Sequence, residues 1–246
     1  MADLTNNKIV GRILIIVPAC DEAQSIAAVM ADLRAHLPAA DVVVVDDGST
    51  DGTADVARRH GAAVLRLPCN LGVGGAMQTG YMYARTKDYD VAVQFDGDAQ
   101  HRANQISAIL DAVAGGADLA VGSRLLGGMR FRFHPFRFLG SRLLAALVSL
   151  IVRQKITDPT SGFRAASRRA VAFFAEHYPQ TYLADTTEAL VWAGRGGLKL
   201  TEVPVRMRQR QAGSAASGNI KGVAHMVRII LALLIDCFES RIKPQE

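Results

Sequence analysis

The stretch RILIIVPA, from Arg12 to Ala19, is apolar after its first residue, and similar runs recur along the first half of the chain: DVVVVDD from Asp41, AAVLRLP from Ala62, DVAVQFD from Asp90 and ADLAVGSR from Ala117. Short apolar runs rich in Val and bounded by turn residues predict buried strands. The segments between them read as helices over residues 25–36, 53–60, 75–86 and 104–114. Strands alternating with helices predict an α/β domain with a mostly parallel sheet. Ligands of such sheets bind beyond the carboxyl ends of the strands. Pro18, Asp46, Asp47, Asp96, Asp98 and Arg124 all fall at or just past those ends. The second half carries two strongly apolar helices, residues 139–152 and 226–238. Both are shorter than the roughly 20 residues a spanning helix needs, so neither is expected to cross a membrane. No repeat, low-complexity tract or linker divides the chain.

Composition narrows the class. Of 246 residues, 50% are hydrophobic and 21% charged, enough to build a core and to exclude disorder. The cysteines, Cys20, Cys69 and Cys237, form no C-x-x-C pair, which argues against a disulfide framework or a zinc site and fits a reducing, cytoplasmic setting. No apolar run follows a basic start at the N-terminus, so no signal peptide is expected. The net charge is +5, and from Arg124 to Arg169 ten Lys or Arg face a single acid, Asp158. Such a block suits nucleic acid, anionic lipid or a phosphorylated substrate, unless it is an ordinary solvated face.

The sharpest chemical signal is VAVQFDGDAQH, residues 91–101. Asp96 and Asp98, with Gly97 between them, follow directly on an apolar strand, where uncompensated carboxylates are costly. Two carboxylates so spaced can turn to one cation, and hard divalent ions take oxygen ligands from one or two carboxylates plus substrate phosphates. Gln100 could add a carbonyl oxygen, while His101 reads as structural or supporting. In VVVVDDGSTDGT, the residues Ser49, Thr50, Asp51 and Thr53 read as turn and cap formers. Asp47 is left without a turn to cap and reads as facing the ligand. In CNLGVGGAMQTG, the glycines Gly72, Gly74 and Gly75 could admit a diphosphate near a helix N-terminus. They match neither a dinucleotide fingerprint nor a Walker loop.

Taken in order, VPACDE, VVDDGSTDGT, NLGVGGAMQTGY, DGDAQH, VGSR, DPTSGFR and EVPVRMRQRQAG resemble glycosyltransferase family 2 over about residues 12–217. Within that family the chain looks most like dolichyl-phosphate mannosyltransferase and other polyprenyl-phosphate glycosyltransferases. The resemblance implies a GT-A fold: a Rossmann-like, mostly parallel sheet flanked by helices, with a nucleotide-sugar-binding half at about 12–125 merged with an acceptor half at about 126–217. A C-terminal apolar helix would occupy 218–246. It also implies a nucleotide-sugar donor, a polyprenyl phosphate or other lipid acceptor, and a divalent metal, Mg2+ or Mn2+. Pro18, Cys20 and Glu22 would contact the nucleoside, with Val45 and Asp47 flanking its base or ribose. Asp96, Asp98 and Gln100 would hold the metal, with Gly97 against the nucleotide. Arg124 would face the donor phosphates and Arg210 would close over them, so Asp98, Arg124 and Arg210 carry the catalytic expectation. The chain departs from the family pattern where Cys20 replaces an aromatic and Asp21 an asparagine. Ala216 stands where the dolichyl-phosphate enzymes carry a lysine, with Arg206, Arg208 or Lys221 as substitutes. The Pro-Glu pair often found shortly after Gln-His is missing.

A phosphate acceptor is already anionic and needs no general base; a hydroxyl acceptor needs one, for which Asp158 or Glu188 is a candidate. The hydroxyl acceptor and a non-catalytic nucleotide-binding module stay open as alternatives. A sugar-nucleotide synthase lacks support because PACDEAQS holds no Gly- and Arg-rich loop. A receiver module would place its acid pair after the first strand. The acids at the ligand edge disfavour nucleic acid. Finally, Arg130, Arg132, Arg137 and Arg142 interleave with Phe131, Phe133, Phe136 and Phe138, a pattern suited to a membrane–water interface. The expectation is a cytoplasmic enzyme, peripheral on the inner face of a membrane, with an acceptor headgroup near Arg137, Arg142 or Arg164.

Overall fold

The structure is a computed structural model that describes residues 11–126, 135–179 and 185–208, with side chains described from residues 140 and 186 onward in the second and third segments. In chain order the elements are β1 (Ile13–Ala19), α1 (Ile26–His36), β2 (Asp41–Asp46), α2 (Thr53–Arg59), β3 (Ala63–Arg66), α3 (Gly72–Thr86), β4 (Val91–Gln94), α4 (Ile106–Ala114), β5 (Leu119–Ser123), α5 (Pro135–Val152), β6 (Arg164–Ser167), α6 (Arg168–Glu176), α7 (Asp185–Arg195) and β7 (Leu200–Pro204). The expected strands and helices of the first half are all present, with ends shifted by a few residues.

The strands form one sheet in the order β3-β2-β1-β4-β6-β5-β7. All neighbours run parallel except β6, which is antiparallel to both β4 and β5. The alternating apolar side chains of β1 show why its run reads as continuous. Leu14 and Ile16 point into a core shared with α3, α6 and α7, whereas Ile15 and Val17 point into a second core shared with α1 and α4. A strand covered on both faces has no polar side to alternate. On α5, Leu144, Val148 and Val152 enter the first core while Leu143 and Leu150 stay exposed. Among the described residues, no helix is long and apolar enough to cross a membrane.

From β1 the chain proceeds outward through β2 to β3, then returns to place β4 on the other side of β1. The crevice between the carboxyl ends of β1 and β4 is therefore a topological switch point, where open α/β sheets take their ligands.

Candidate active site

A cavity of about 330 Å3 opens at that switch point. Pro18, Cys20 and Glu22 line it from the end of β1, Asp47 from the end of β2, and Asp96, Gly97 and Asp98 from the turn after β4. Seven of the residues singled out from sequence thus share one wall. Ala19 of β1, Val73 and Ala76 of α3, Gln94 of β4, and Thr160, Gly162 and Thr186 complete the lining. The threonines and Gly162 come from the second half of the chain, brought in by β6 and α7. Thr160 and Gly162 belong to the DPTSGFR stretch, although neither is singled out there as a site residue, and Thr186 lies in none of the family motifs.

The acidic turn is tightly built. Asp98 Oδ1 accepts the Gln100 backbone N–H at 3.0 Å, and Ala99 between them adopts a positive φ of 60°. Gly97 is pressed against β1: a Cβ there would stand 3.2 Å from the Pro18 carbonyl. The Ser25 hydroxyl lies 2.7 Å from the Gly97 carbonyl and 2.6 Å from the Glu22 carboxylate, tying the two loops together. Gln100 does not line the cavity. Its carbonyl accepts the backbone N–H of Arg208 at 2.8 Å, which brings the segment after β7 onto the turn. Arg210, two residues further, lies outside the described residues, as do Ala216, Lys221 and the apolar segment 226–238. His101, read as structural or supporting, is 2% exposed, and burial lowers its pKa.

Asp46 and Asp47 are both buried. Asp46 Oδ1 accepts the Ser49 N–H at 3.0 Å, a turn role. Asp47 has one as well: its Oδ1 accepts the Leu71 N–H at 2.7 Å, at the start of α3. Contrary to expectation, Asp47 therefore has a group to cap, and that group lies across the sheet edge. Asp47 nevertheless lines the cavity. The Asn70 amide donates to Cys20 Sγ at 3.2 Å. Partial burial and the carboxylates of Asp21 and Asp47 push the Cys20 thiol pKa up, so it stays protonated at neutral pH. Asp51 behaves as a turn former, its Oδ1 accepting the Thr53 N–H, whereas Ser49 Oγ accepts the Asp21 N–H and so ties this turn to the loop after β1.

Val45 is fully buried in β2, so its side chain packs the core and does not reach the cavity. Arg124 does not line the cavity either. It forks onto Asp158 through Nε and Nη2, each at 2.7 Å, and Nη2 also reaches Thr160 Oγ1. Burial alone would raise the Asp158 pKa, but the Arg124 bonds and charge outweigh it and hold the carboxyl below its ordinary value. A carboxylate so committed is a poor general base. Glu202 caps the same corner, accepting the backbone N–H groups of Thr157 and Asp158. Arg164 is 1% exposed and donates to the backbone carbonyls of Ser161 and Thr186, which removes it from any surface headgroup site. Arg208, one of the substitutes considered for the missing lysine, pairs with Asp32 at 3.0 Å. Glu188 is buried on α7, Arg142 is on the exposed face of α5, and the Arg137 side chain is outside the described set.

Residues 14–173 match the model of the family described as glycosyl transferase family 2. The chain belongs to this family. An undecaprenyl-phosphate mannosyltransferase of Micrococcus luteus is 34% identical over 224 residues, covering 87% of this chain and 90% of that one. A polyprenol monophosphomannose synthase of Mycolicibacterium smegmatis is 31% identical over 217 residues, with 85% and 82% covered. Among solved structures, glucosyl-3-phosphoglycerate synthase from Mycobacterium tuberculosis, in complex with Mn2+, uridine diphosphate and phosphoglyceric acid, superposes with a TM-score of 0.67. It is 21% identical, with 98% of this chain and 82% of that chain covered, a likeness of fold. The family 2 domain here is thus a GT-A glycosyltransferase, with β6 as the antiparallel strand set into its parallel sheet.

Proposed function

We propose that this glycosyltransferase moves a sugar from a nucleoside diphosphate to a polyprenyl phosphate at a membrane surface, by a single inverting displacement assisted by a divalent ion. The observation that carries the reading is the placement of Asp96 and Asp98 on the wall of the switch-point cavity. The two nearly full-length relatives named as transferases or synthases of polyprenyl-phosphate sugars support the acceptor class.

The cavity fits a hard cation. Asp96 and Asp98 offer oxygen donors only, and among the described residues no third acid, His or Cys joins them. A metal with so few protein ligands takes its remaining ones from donor phosphates and water, the usual habit of Mg2+ and Mn2+. When bound, the ion would neutralise charge on the departing diphosphate.

The chain's own residues supply the rest. Pro18, Cys20, Glu22 and Asp47 form the nucleoside end of the cavity, and Gly97 lets the nucleotide lie close to the turn. The sugar C1–O bond to the diphosphate breaks, its electron pair leaving with the diphosphate oxygen. A new C1–O bond forms to the acceptor phosphate from the opposite face. That oxygen is already anionic, so no base is required, in keeping with an Asp158 locked onto Arg124. Arg124 holds the corner that carries Thr160 and Gly162 to the cavity. Arg208 fastens the segment after β7 to the acidic turn, and Arg210, two residues on in the sequence, would close over the diphosphate. The acceptor half would meet lipid through α5, whose Leu143 and Leu150 are 59% and 76% exposed. The setting proposed for this surface is the cytoplasmic face of the membrane.

Incubating purified protein with radiolabelled sugar nucleotides, Mn2+ and a short polyprenyl phosphate tests the reading. The expected product is an organic-extractable sugar phospholipid whose formation stops when EDTA is added. Transfer confined to water-soluble hydroxyl acceptors would contradict it.

A further inference from the structure

The two oxygens of Asp96 meet different neighbours. Oδ1 accepts a long hydrogen bond, 3.4 Å, from the Gln94 side-chain amide. Oδ2 lies 3.3 Å from His101 Nε2. The tautomer of His101 follows from its other nitrogen: Nδ1 accepts the Asp96 backbone N–H at 3.0 Å, so the ring proton of the neutral imidazole sits on Nε2, on the Asp96 side. The ring is wedged between Phe95 and Phe163, with centroids at 5.3 and 4.8 Å, and cannot swing clear.

Gln94 is 1% exposed, yet its Oε1 has no partner. Directly across the sheet, Arg164 is its register partner on β6. Arg164 is also 1% exposed, and its Nη1 likewise lacks a partner. Directly opposed antiparallel side chains start about 5 Å apart at Cβ. A buried guanidinium on that side favours the amide with its oxygen towards β6 and its NH2 towards Asp96. Gly162 closes the remaining side: a Cβ there would stand 3.0 Å from Gln94 Nε2 and 3.1 Å from Asp96 Oδ2.

The geometry points to Gln94 and His101 as positioning residues that fix the Asp96 carboxylate, one oxygen each, for the divalent ion and diphosphate. This rests on Asp96 and Asp98 forming the metal edge in the proposed transfer. A carboxylate has about four acceptor sites, so one donor on each oxygen leaves sites facing the cavity while setting the plane of the group. Partners that orient metal ligands in this way typically change metal affinity by about 10–100-fold when removed.

The test uses His101→Asn and Gln94→Met in the full-length protein. Asn keeps an acceptor for the Asp96 N–H but loses the donor on the Nε2 side; Met keeps the length of Gln94 without its amide. Mn2+ affinity is read by electron paramagnetic resonance in the presence of uridine or guanosine diphosphate, alongside thermal unfolding and the metal dependence of transfer. Each variant is expected to melt near the wild type, to bind Mn2+ about tenfold or more weakly, and to recover most of its transfer rate at saturating metal. His101→Gln, which can return a donor near the Nε2 position, is expected to recover part of the lost affinity. Well-folded variants with wild-type Mn2+ affinity would overturn the positioning role alone. A wild-type protein whose nucleotide binding shows no metal response would overturn the metal reading, and the positioning role with it.

Discussion

Asp158 commits both carboxylate oxygens to Arg124, and that commitment sets its contribution to stability. Its pKa lies below the ordinary carboxylate value in the folded chain. The pair therefore contributes stability above about pH 4, where the unfolded carboxylate is ionised, and loses it as the pH falls through the lowered folded value. Asp158→Ala leaves a largely buried guanidinium without its partner and is expected to cost about 3–5 kcal/mol near neutral pH. It should also flatten the acid limb of the stability curve, which urea unfolding of both proteins across about pH 2–7 would reveal. Equal stability at neutral pH would show that the fork is dispensable. At this scale the sequence is legible where chemistry is local. Asp96 and Asp98 stand out because an apolar strand ends in two acids. Gln94 does not, because one amide inside VAVQF looks like a strand residue until its neighbours are known. Asp47 is misjudged for the same reason: the N–H group it caps, that of Leu71, belongs to an element distant in sequence.

The elements of the first half are readable because parallel strands covered on both faces produce unbroken apolar runs. The start of α3 is read three residues late, at Gly75 instead of Gly72. Gly72 has a φ of +80°, and its N–H is accepted by Asn70 Oδ1 at 2.9 Å, a helix entry that the glycine-rich run conceals. β6 is missed altogether. Its four residues, RAAS, lack both alternation and β-branched side chains, and they become a strand because β4 and β5 pair with them on either side. α5 is recognisable by hydropathy, but only the structure separates its buried Leu144 and Val148 from its exposed Leu143 and Leu150. Replacing both exposed leucines with Glu removes apolar surface without touching the core. The variant is expected to keep the wild-type melting temperature and to lose most of its flotation with anionic liposomes, since interfacial binding scales with buried apolar area and basic charge. Undiminished flotation would place the lipid contact elsewhere.

Across the molecule, the sheet order brings together what the chain keeps apart. The reversal between β1 and β4 opens the cavity, the ends of β1 and β2 supply Pro18, Cys20, Glu22 and Asp47 to its wall, and the turn after β4 supplies the acids. β6, running against its neighbours, lets the following half contribute Gly162 and Thr186 to the same wall. The family is legible from motifs in order, and so is the part of the wall formed by the ends of β1, β2 and β4; the part supplied by the second half is less so, because it is assembled from short, non-local pieces. The central claim is that Asp96 and Asp98 join a nucleoside diphosphate to a divalent ion in that cavity. Titration calorimetry of wild type and Asp98→Asn with uridine and guanosine diphosphates, each with and without Mn2+, tests it most directly. The wild type is expected to bind one of the two nucleotides markedly more tightly with metal, and Asp98→Asn to fold normally while losing that dependence. An Asp98→Asn protein with an undiminished metal response would contradict the account.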